Sequence, residues 1–135
     1  MKNFQMNRRT VVAWLGFGAL GAAHAQARID SDSVTLEAAR QELESGKSLV
    51  IDIREPQEHA TGVAPGVQLL PMRQLASRIS EIPHDPKRPV LLICNTQNRS
   101  SATLKFLREK GYTNVRFVQG GMSEWARRAW PMVRP

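Results

Sequence analysis

The segment "LLICNTQNRSSATLKFL", Leu91 to Leu107, decides the architecture of this chain. It passes from an apolar run into a polar loop and then into a helical pattern beginning near Ser100. Ala102, Leu104, Phe106 and Leu107 mark the inward face of that helix, and Gly111 closes it. The run "VLLIC" before the loop is the most strongly apolar of the strand-like runs and reads as a buried strand. The only cysteine, Cys94, stands where strand gives way to loop. A sulfur needed only for packing belongs inside a strand. One at the strand's lip, ahead of a helix N-terminus, faces the helix end that favours negative charge.

The same alternation extends in both directions. Upstream, "SVTLEAARQELESG" carries apolar residues at Val34, Leu36, Ala39 and Leu43, reads as a helix and stops at Gly46. "SLVIDI", Ser48 to Ile53, is a short β-branched strand, and Pro56 opens a short helix through Ala60. "GVAPGV" is a turn and "VQLLP" a second short strand. "MRQLASRISEI" places Met72, Leu75, Ile79 and Ile82 on one helical face, and "PHDPKRP" is a loop in which His84 is a solvated turn residue. Downstream, "VRFVQGG" is a strand and turn, "MSEWARRAW" a last short helix and "PMVRP" an extended tail. Strands alternating with helices predict an α/β fold: a mostly parallel sheet with helices on both faces.

The N-terminus reads differently. "MKNFQMNRR" is basic and free of acids, and the 13-residue apolar run from Val11 to Ala23 leads into Ala23-His24-Ala25. A small-x-small site behind a run shorter than the ~20 residues of a membrane span predicts an export signal over 1–25, cut before Gln26. The alternative is an uncleaved interfacial anchor. Arg8-Arg9 also resembles a twin-arginine signal. Cleavage leaves 26–135 as one domain in the periplasm or outside the cell, with no membrane attachment. Loss of Lys2, Arg8 and Arg9 takes the formal charge from +7 to +4. The remaining basic residues are scattered rather than gathered into a stripe, which argues against nucleic acid and leaves a surface mildly favourable to small anions.

An exported chain with one cysteine has no internal disulfide, so Cys94 is buried, paired between chains or chemically used. The amides from Asn95 to about Ser101 can converge on one point, and the helix that follows adds its positive end. Both favour a thiolate nucleophile. Arg99 adds a full charge within reach of a bound oxyanion, or serves as a clamp tying the loop to Asp52 at the end of "SLVID". Asp52 is read as structural, because a carboxylate beside the sulfur opposes ionisation. Arg54 and Glu55 pair at the surface or hold the strand exit. Gly120-Gly121 is a backbone turn. Trp125 and Trp130 pack over the sheet edge. His59 is a semi-exposed helix residue or, alternatively, half of a Cys–His pair. No His, Cys and Asp cluster has metal-ligand spacing, and no phosphate-binding or dinucleotide loop is present.

The spacing Cys94-x4-Arg99-Ser100 resembles the active-site loop of rhodanese-family sulfurtransferases, C-x-x-G-x-R-S. Related phosphatases carry one more residue between Cys and Arg, to fit a phosphoryl group; the shorter loop fits a terminal sulfur. "VIDIREPQEHATGVAPGVQLLP" is similar to the family's first signature, an acidic residue and Arg, then E-P-x-E, then G-H-x-P-G-A. "GGMSEWARRAWPMVRP" resembles its C-terminal signature of paired glycines, a Trp and a nearby Pro. Three departures stand out: Gln97 replaces the loop Gly, Val63 the usual His, and His59 an aromatic. If the position of Gln97 needs positive φ, the side chain costs on the order of 1 kcal/mol, or the loop follows another path.

The resemblance implies a rhodanese-like fold and a single-domain sulfurtransferase, which with the leader reads as an exported protein, expected as a monomer. Cys94 is its nucleophile, and Asn95, Thr96, Gln97, Asn98, Arg99 and Ser100 bind the substrate. Asp52 and Arg54 give structural support, and neither metal nor cofactor is required. It also implies its partners, a small sulfur donor such as thiosulfate and a thiol, cyanide or protein acceptor, linked by a Cys94 persulfide. One alternative is a non-enzymatic rhodanese-like module that binds a partner or carries a persulfide. Another is a phosphatase or arsenate reductase, opposed by the short loop and the lack of a second cysteine. For export, N-terminal sequencing of protein from the cell envelope should read Gln26 first; soluble cytoplasmic protein beginning at Met1 would refute cleavage.

Overall fold

The computed structural model describes residues 31–135. In chain order they form β1 (Ser33–Val34), α1 (Leu36–Ser45), β2 (Leu49–Asp52), α2 (Pro56–His59), β3 (Gln68–Leu69) and α3 (Met72–Leu75). A 3-10 turn (Ile79–Glu81) follows, then β4 (Val90–Ile93), α4 (Asn98–Glu109), β5 (Val115–Val118) and α5 (Gly121–Arg127). The expected export signal and the cut before Gln26 lie outside these residues. Among the described residues no helix is long and apolar enough to cross a membrane.

The sheet is wholly parallel, in the order β1-β5-β4-β2-β3. From the central pair β2 and β4, the chain steps outward to β3 on one side and to β5 on the other. The carboxyl ends of β2 and β4 are therefore a switch point, where open parallel sheets bind ligands. Register aligns Asp52 with Ile93, so the acid sits beside the residue that precedes Cys94.

Side chains alternate across β4 as the strand period requires. Val90, Leu92 and Cys94 join a core with Leu75 of α3 and Leu104 and Leu107 of α4. Leu91 and Ile93 join the opposite core, with Leu36 and Ala39 of α1 and Met122 and Trp125 of α5. Helices thus cover both faces. Trp125 is buried with Trp130 edge-on at 5.0 Å, and its Nε1 donates to the Pro131 carbonyl, in line with a packing role.

The helix before Gly46 starts later than the periodicity predicts. Val34 belongs to β1, paired with Val118, and Thr35 caps α1 by accepting the Ala38 N–H. The segment Met72–Ile82 is not one helix. Ser77 Oγ donates to the Gln74 carbonyl, Arg78 sits at φ −113°, and the helix breaks into α3 and the 3-10 turn, leaving Met72 exposed. In α4 the inward stripe is Ser100, Thr103, Leu104 and Leu107, so Ala102 faces out and Phe106 is half-buried. Apolar counting misplaced the stripe because two hydroxyl side chains occupy core positions.

Leu107 is fully buried and joins α4 to the sheet. Leu107→Ala should lower stability in urea by about 2–5 kcal/mol, the range for a buried leucine whose cavity collapses incompletely.

Candidate active site at the end of strand β4

Cys94 continues the β4 alternation beneath α4, and only 1% of it is exposed. It is thus more enclosed than a position at the strand's lip predicts. Its neighbours Asn95, Thr96, Gln97 and Asn98 are exposed, forming a loop over the sulfur. Cys94 Sγ lies 3.4 Å from Ser100 Oγ, which donates in turn to the Gln97 carbonyl at 3.2 Å. Ser100 is fully buried in the first turn of α4. No side chain caps this helix, and its first turn holds no acid. The amides of Asn95, Thr96 and Gln97 find no acceptor among the described residues. Free amides and an uncapped helix end together make an environment that stabilises an anion.

The loop is held from behind by α5. Met122 N–H donates to the Cys94 carbonyl at 2.8 Å and Ser123 N–H to the Asn95 carbonyl at 2.9 Å. This close approach requires Gly121, at φ +60°: a Cβ there would lie 2.2 Å from the Thr96 oxygen and 2.5 Å from the Cys94 oxygen. Gly120-Gly121 is therefore more than a turn, because it supplies the surface on which the sulfur loop rests. A third bond joins the same pieces, from Gly120 N–H to Gln97 Oε1 at 3.2 Å. Gln97 itself has φ −150°, so the strain expected of a side chain in place of glycine is absent.

Arg99 does not reach Asp52. Both its terminal nitrogens bind the Glu58 carboxylate, at 2.6 and 2.7 Å, in a bidentate fork. Glu58 Oε1 also accepts the Glu55 N–H at 3.1 Å. Hydrogen bonding from Arg99 pulls the Glu58 carboxyl down to about 2, and the Glu58 contact raises Arg99.

Asp52 instead serves Arg54. Arg54 Nη2 reaches Asp52 Oδ2 at 2.8 Å, Nε lies 3.1 Å from both carboxylate oxygens, and the Arg54 backbone N–H also donates to Oδ1. The same Nη2 donates to the Gly62 carbonyl at 2.8 Å. Both side chains are almost fully buried, so Arg54 is no surface partner of Glu55; it joins the β2 exit to the turn at Gly62. His59 is buried as well. Its Nε2 lies 3.3 Å from Asp52 Oδ1, close enough for charge interaction but without hydrogen-bond geometry. It is neither semi-exposed nor shown beside Cys94.

The structure thus brings Cys94, Ser100, Gln97 and Arg99 together, while Asp52 and Arg54 form a buried pair that meets the Arg99 partner Glu58 where Arg54 Nη1 donates to the Glu58 carbonyl at 3.5 Å. Glu58 was not singled out from sequence, although it lies within the quoted E-P-x-E signature, and Gly121 was read there only as part of a backbone turn. A groove of about 310 Å³ lined by Met72, Leu75, Ala76, Ala102, Thr103 and Phe106 runs along α4 beyond the loop. Among the described residues no group of three His, Cys, Asp or Glu side chains is arranged to hold a metal ion.

Residues 35–128 match the sequence model of the rhodanese-like domain. A sulfurtransferase of Allochromatium vinosum is 38% identical over 107 residues, covering 79% of this chain and 94% of the relative. A rhodanese-related protein of Thermoplasma volcanium superposes with a TM-score of 0.67 at 26% identity, covering 76% of this chain and 98% of its own. A thiosulfate sulfurtransferase of Pseudomonas aeruginosa shares the fold, with a TM-score of 0.68 at 24% identity over 86% of this chain and 22% of that larger one.

The Glu58–Arg99 fork has a definite pH signature. A carboxyl depressed in the folded state contributes stability above its ordinary 4.5, and that contribution drains away as pH falls from there toward about 2. With the two side chains 30% and 34% exposed, solvent screening holds it to about 0.5–1 kcal/mol. Urea titrations over this window should therefore show a shallower acid loss in Glu58→Gln than in the parent.

Proposed function

The chain belongs to the rhodanese-like family of sulfurtransferases, and on that premise we propose that Cys94 takes a sulfane sulfur from thiosulfate or a similar donor and passes it to a nucleophile. The observation that carries the proposal is the Cys94 sulfur beside the Ser100 hydroxyl, beneath a loop of unpartnered amides at an uncapped helix end. In the resting thiol, S–H donates to Ser100 Oγ, and the hydroxyl proton is given to the Gln97 carbonyl. Once the thiol proton leaves to solvent, the Ser100 O–H can rotate toward the sulfur and donate to the thiolate. A hydrogen bond to a charged acceptor is worth more than one between neutral groups.

The thiolate attacks the outer sulfur of the donor. A Cys94 S–S bond forms, the S–S bond of thiosulfate breaks, and sulfite leaves with the electron pair. The loop amides and the free donors of Arg99 offset the oxyanion's charge. The persulfide keeps one negative charge under the same groups until the acceptor attacks its outer sulfur and restores the thiolate. With cyanide the product is thiocyanate; a small or protein thiol is the physiological type of acceptor. This is covalent ping-pong transfer. The near-complete enclosure of Cys94 favours a donor of thiosulfate's size over a bulky one. The leader sequence supports placing the reaction outside the cytoplasm.

A second reading, a binding module with an inert buried thiol, draws on that same enclosure. Intact mass after thiosulfate treatment separates the two. The parent should gain one sulfur atom, cyanide should remove it, and Cys94→Ser should gain none while remaining folded. Ser100→Ala should slow loading roughly ten- to hundredfold through loss of a hydrogen bond to a charged group. A parent that never gains sulfur, or a serine variant that still transfers it, would refute the proposal.

A further inference from the structure

Gln97 occupies the position where the rhodanese loop pattern has glycine, and its contacts extend in two directions. Its backbone carbonyl accepts from Ser100 Oγ at 3.2 Å and from Ser101 N–H at 2.9 Å, so it lies one step from the sulfur through Ser100. Its side-chain Oε1 accepts from Gly120 N–H at 3.2 Å, in the turn before α5. The two other bonds between loop and turn are made at the Cys94 and Asn95 carbonyls, both at the loop's beginning. Among the described residues the Gln97 side chain alone ties the exposed far half of the loop to that turn. Glycine would offer no such tie, and its wider backbone freedom would leave the Gln97–Asn98 peptide free to swing.

We propose that Gln97 is a positioning residue of the sulfur site: by accepting the Gly120 N–H on Oε1, it holds its own carbonyl, and through it the Ser100 hydroxyl, within reach of Cys94 Sγ. This rests on the sulfur-transfer reading of Cys94. The hydroxyl must turn its proton from the Gln97 carbonyl to the sulfur as the thiolate forms. That rotation is productive only while carbonyl, hydroxyl and sulfur keep their spacing. Gln97 therefore acts on the loading step, and donor capture is left to Arg99 and the loop amides. Fixing the loop before the donor arrives removes reorganisation from the reaction itself.

Gln97→Leu removes the acceptor while keeping bulk, and Gln97→Glu keeps an acceptor oxygen. Amide hydrogen exchange at Gly120, read by NMR, reports the tie. Single-turnover loading by thiosulfate, followed by intact mass, reports the step. The Leu variant should exchange Gly120 faster and show a maximal loading rate roughly two- to tenfold lower, the range for one lost neutral hydrogen bond, with an unchanged half-saturating donor concentration. The Glu variant should restore slow exchange and the maximal rate while needing more donor, because its charge repels the anion. The proposal is overturned if the Leu variant keeps parental Gly120 exchange and maximal rate, or if its defect lies only in donor concentration, which would make Gln97 a donor ligand. Should the Leu variant fail to fold, Gln97→Ala answers the same questions. A parent that thiosulfate never loads overturns the transfer reading, while exchange at Gly120 still decides whether the tie exists.

Discussion

The site depends on one close contact between backbones. Gly121 has no side chain, so the N-terminus of α5 lies directly against the carbonyls of Cys94, Asn95 and Thr96. Two of those carbonyls are consumed there, by the Met122 and Ser123 amides. A peptide whose carbonyl is bound behind the loop has its N–H on the opposite side. That simple geometric fact sets aside the donors of the loop for whatever anion occupies its front. The charge environment of Cys94 is therefore set partly from behind, by backbone amides at the start of α5.

Two ion pairs organise the charges around the switch point. Asp52 and Arg54 are buried at the β2 exit, where an isolated charge would be costly, and each satisfies the other several times over. This pair shapes the chain leading to α2. Glu58 and Arg99 are part-exposed and join α2 to the start of α4 across the switch point. The second system uses the guanidinium edge that would otherwise be free. Glu58 thereby orients Arg99 beside the loop and fixes the position of its charge.

Most of the scaffold could be read from the residues. The strand at "VLLI", the helix after the loop, the glycine that ends α1 and the Pro that opens α2 all follow from local chemistry. The two-sided burial of a parallel sheet follows from the apolar runs. The failures have physical causes. Val34 looked helical because it stands directly ahead of the apolar pattern of Leu36, Ala39 and Leu43, yet a strand partner at Val118 was available. Met72–Ile82 looked continuous, but the backbone leaves helical geometry at Arg78, φ −113°. Ser100 and Thr103 were overlooked as core positions because hydroxyl residues do not register in an apolar pattern.

The sequence by itself determined the α/β class, the strand-loop-helix unit around Cys94, the loop's length and the approach of a positive helix end to the sulfur. These depend on residues near one another in the chain, where periodicity, capping and turn chemistry act. Tertiary structure alone decided the pairings. Arg99 chose Glu58, 41 residues away, over Asp52, and Gln97 reached Gly120, 23 residues away, to find the partner that makes a non-glycine residue useful there. It also decided that Gln97 sits at negative φ and that Gly121 presses on the loop. Those choices depend on which groups the parallel sheet brings to the carboxyl ends of β2, β4 and β5, and distance along the chain carries no record of that.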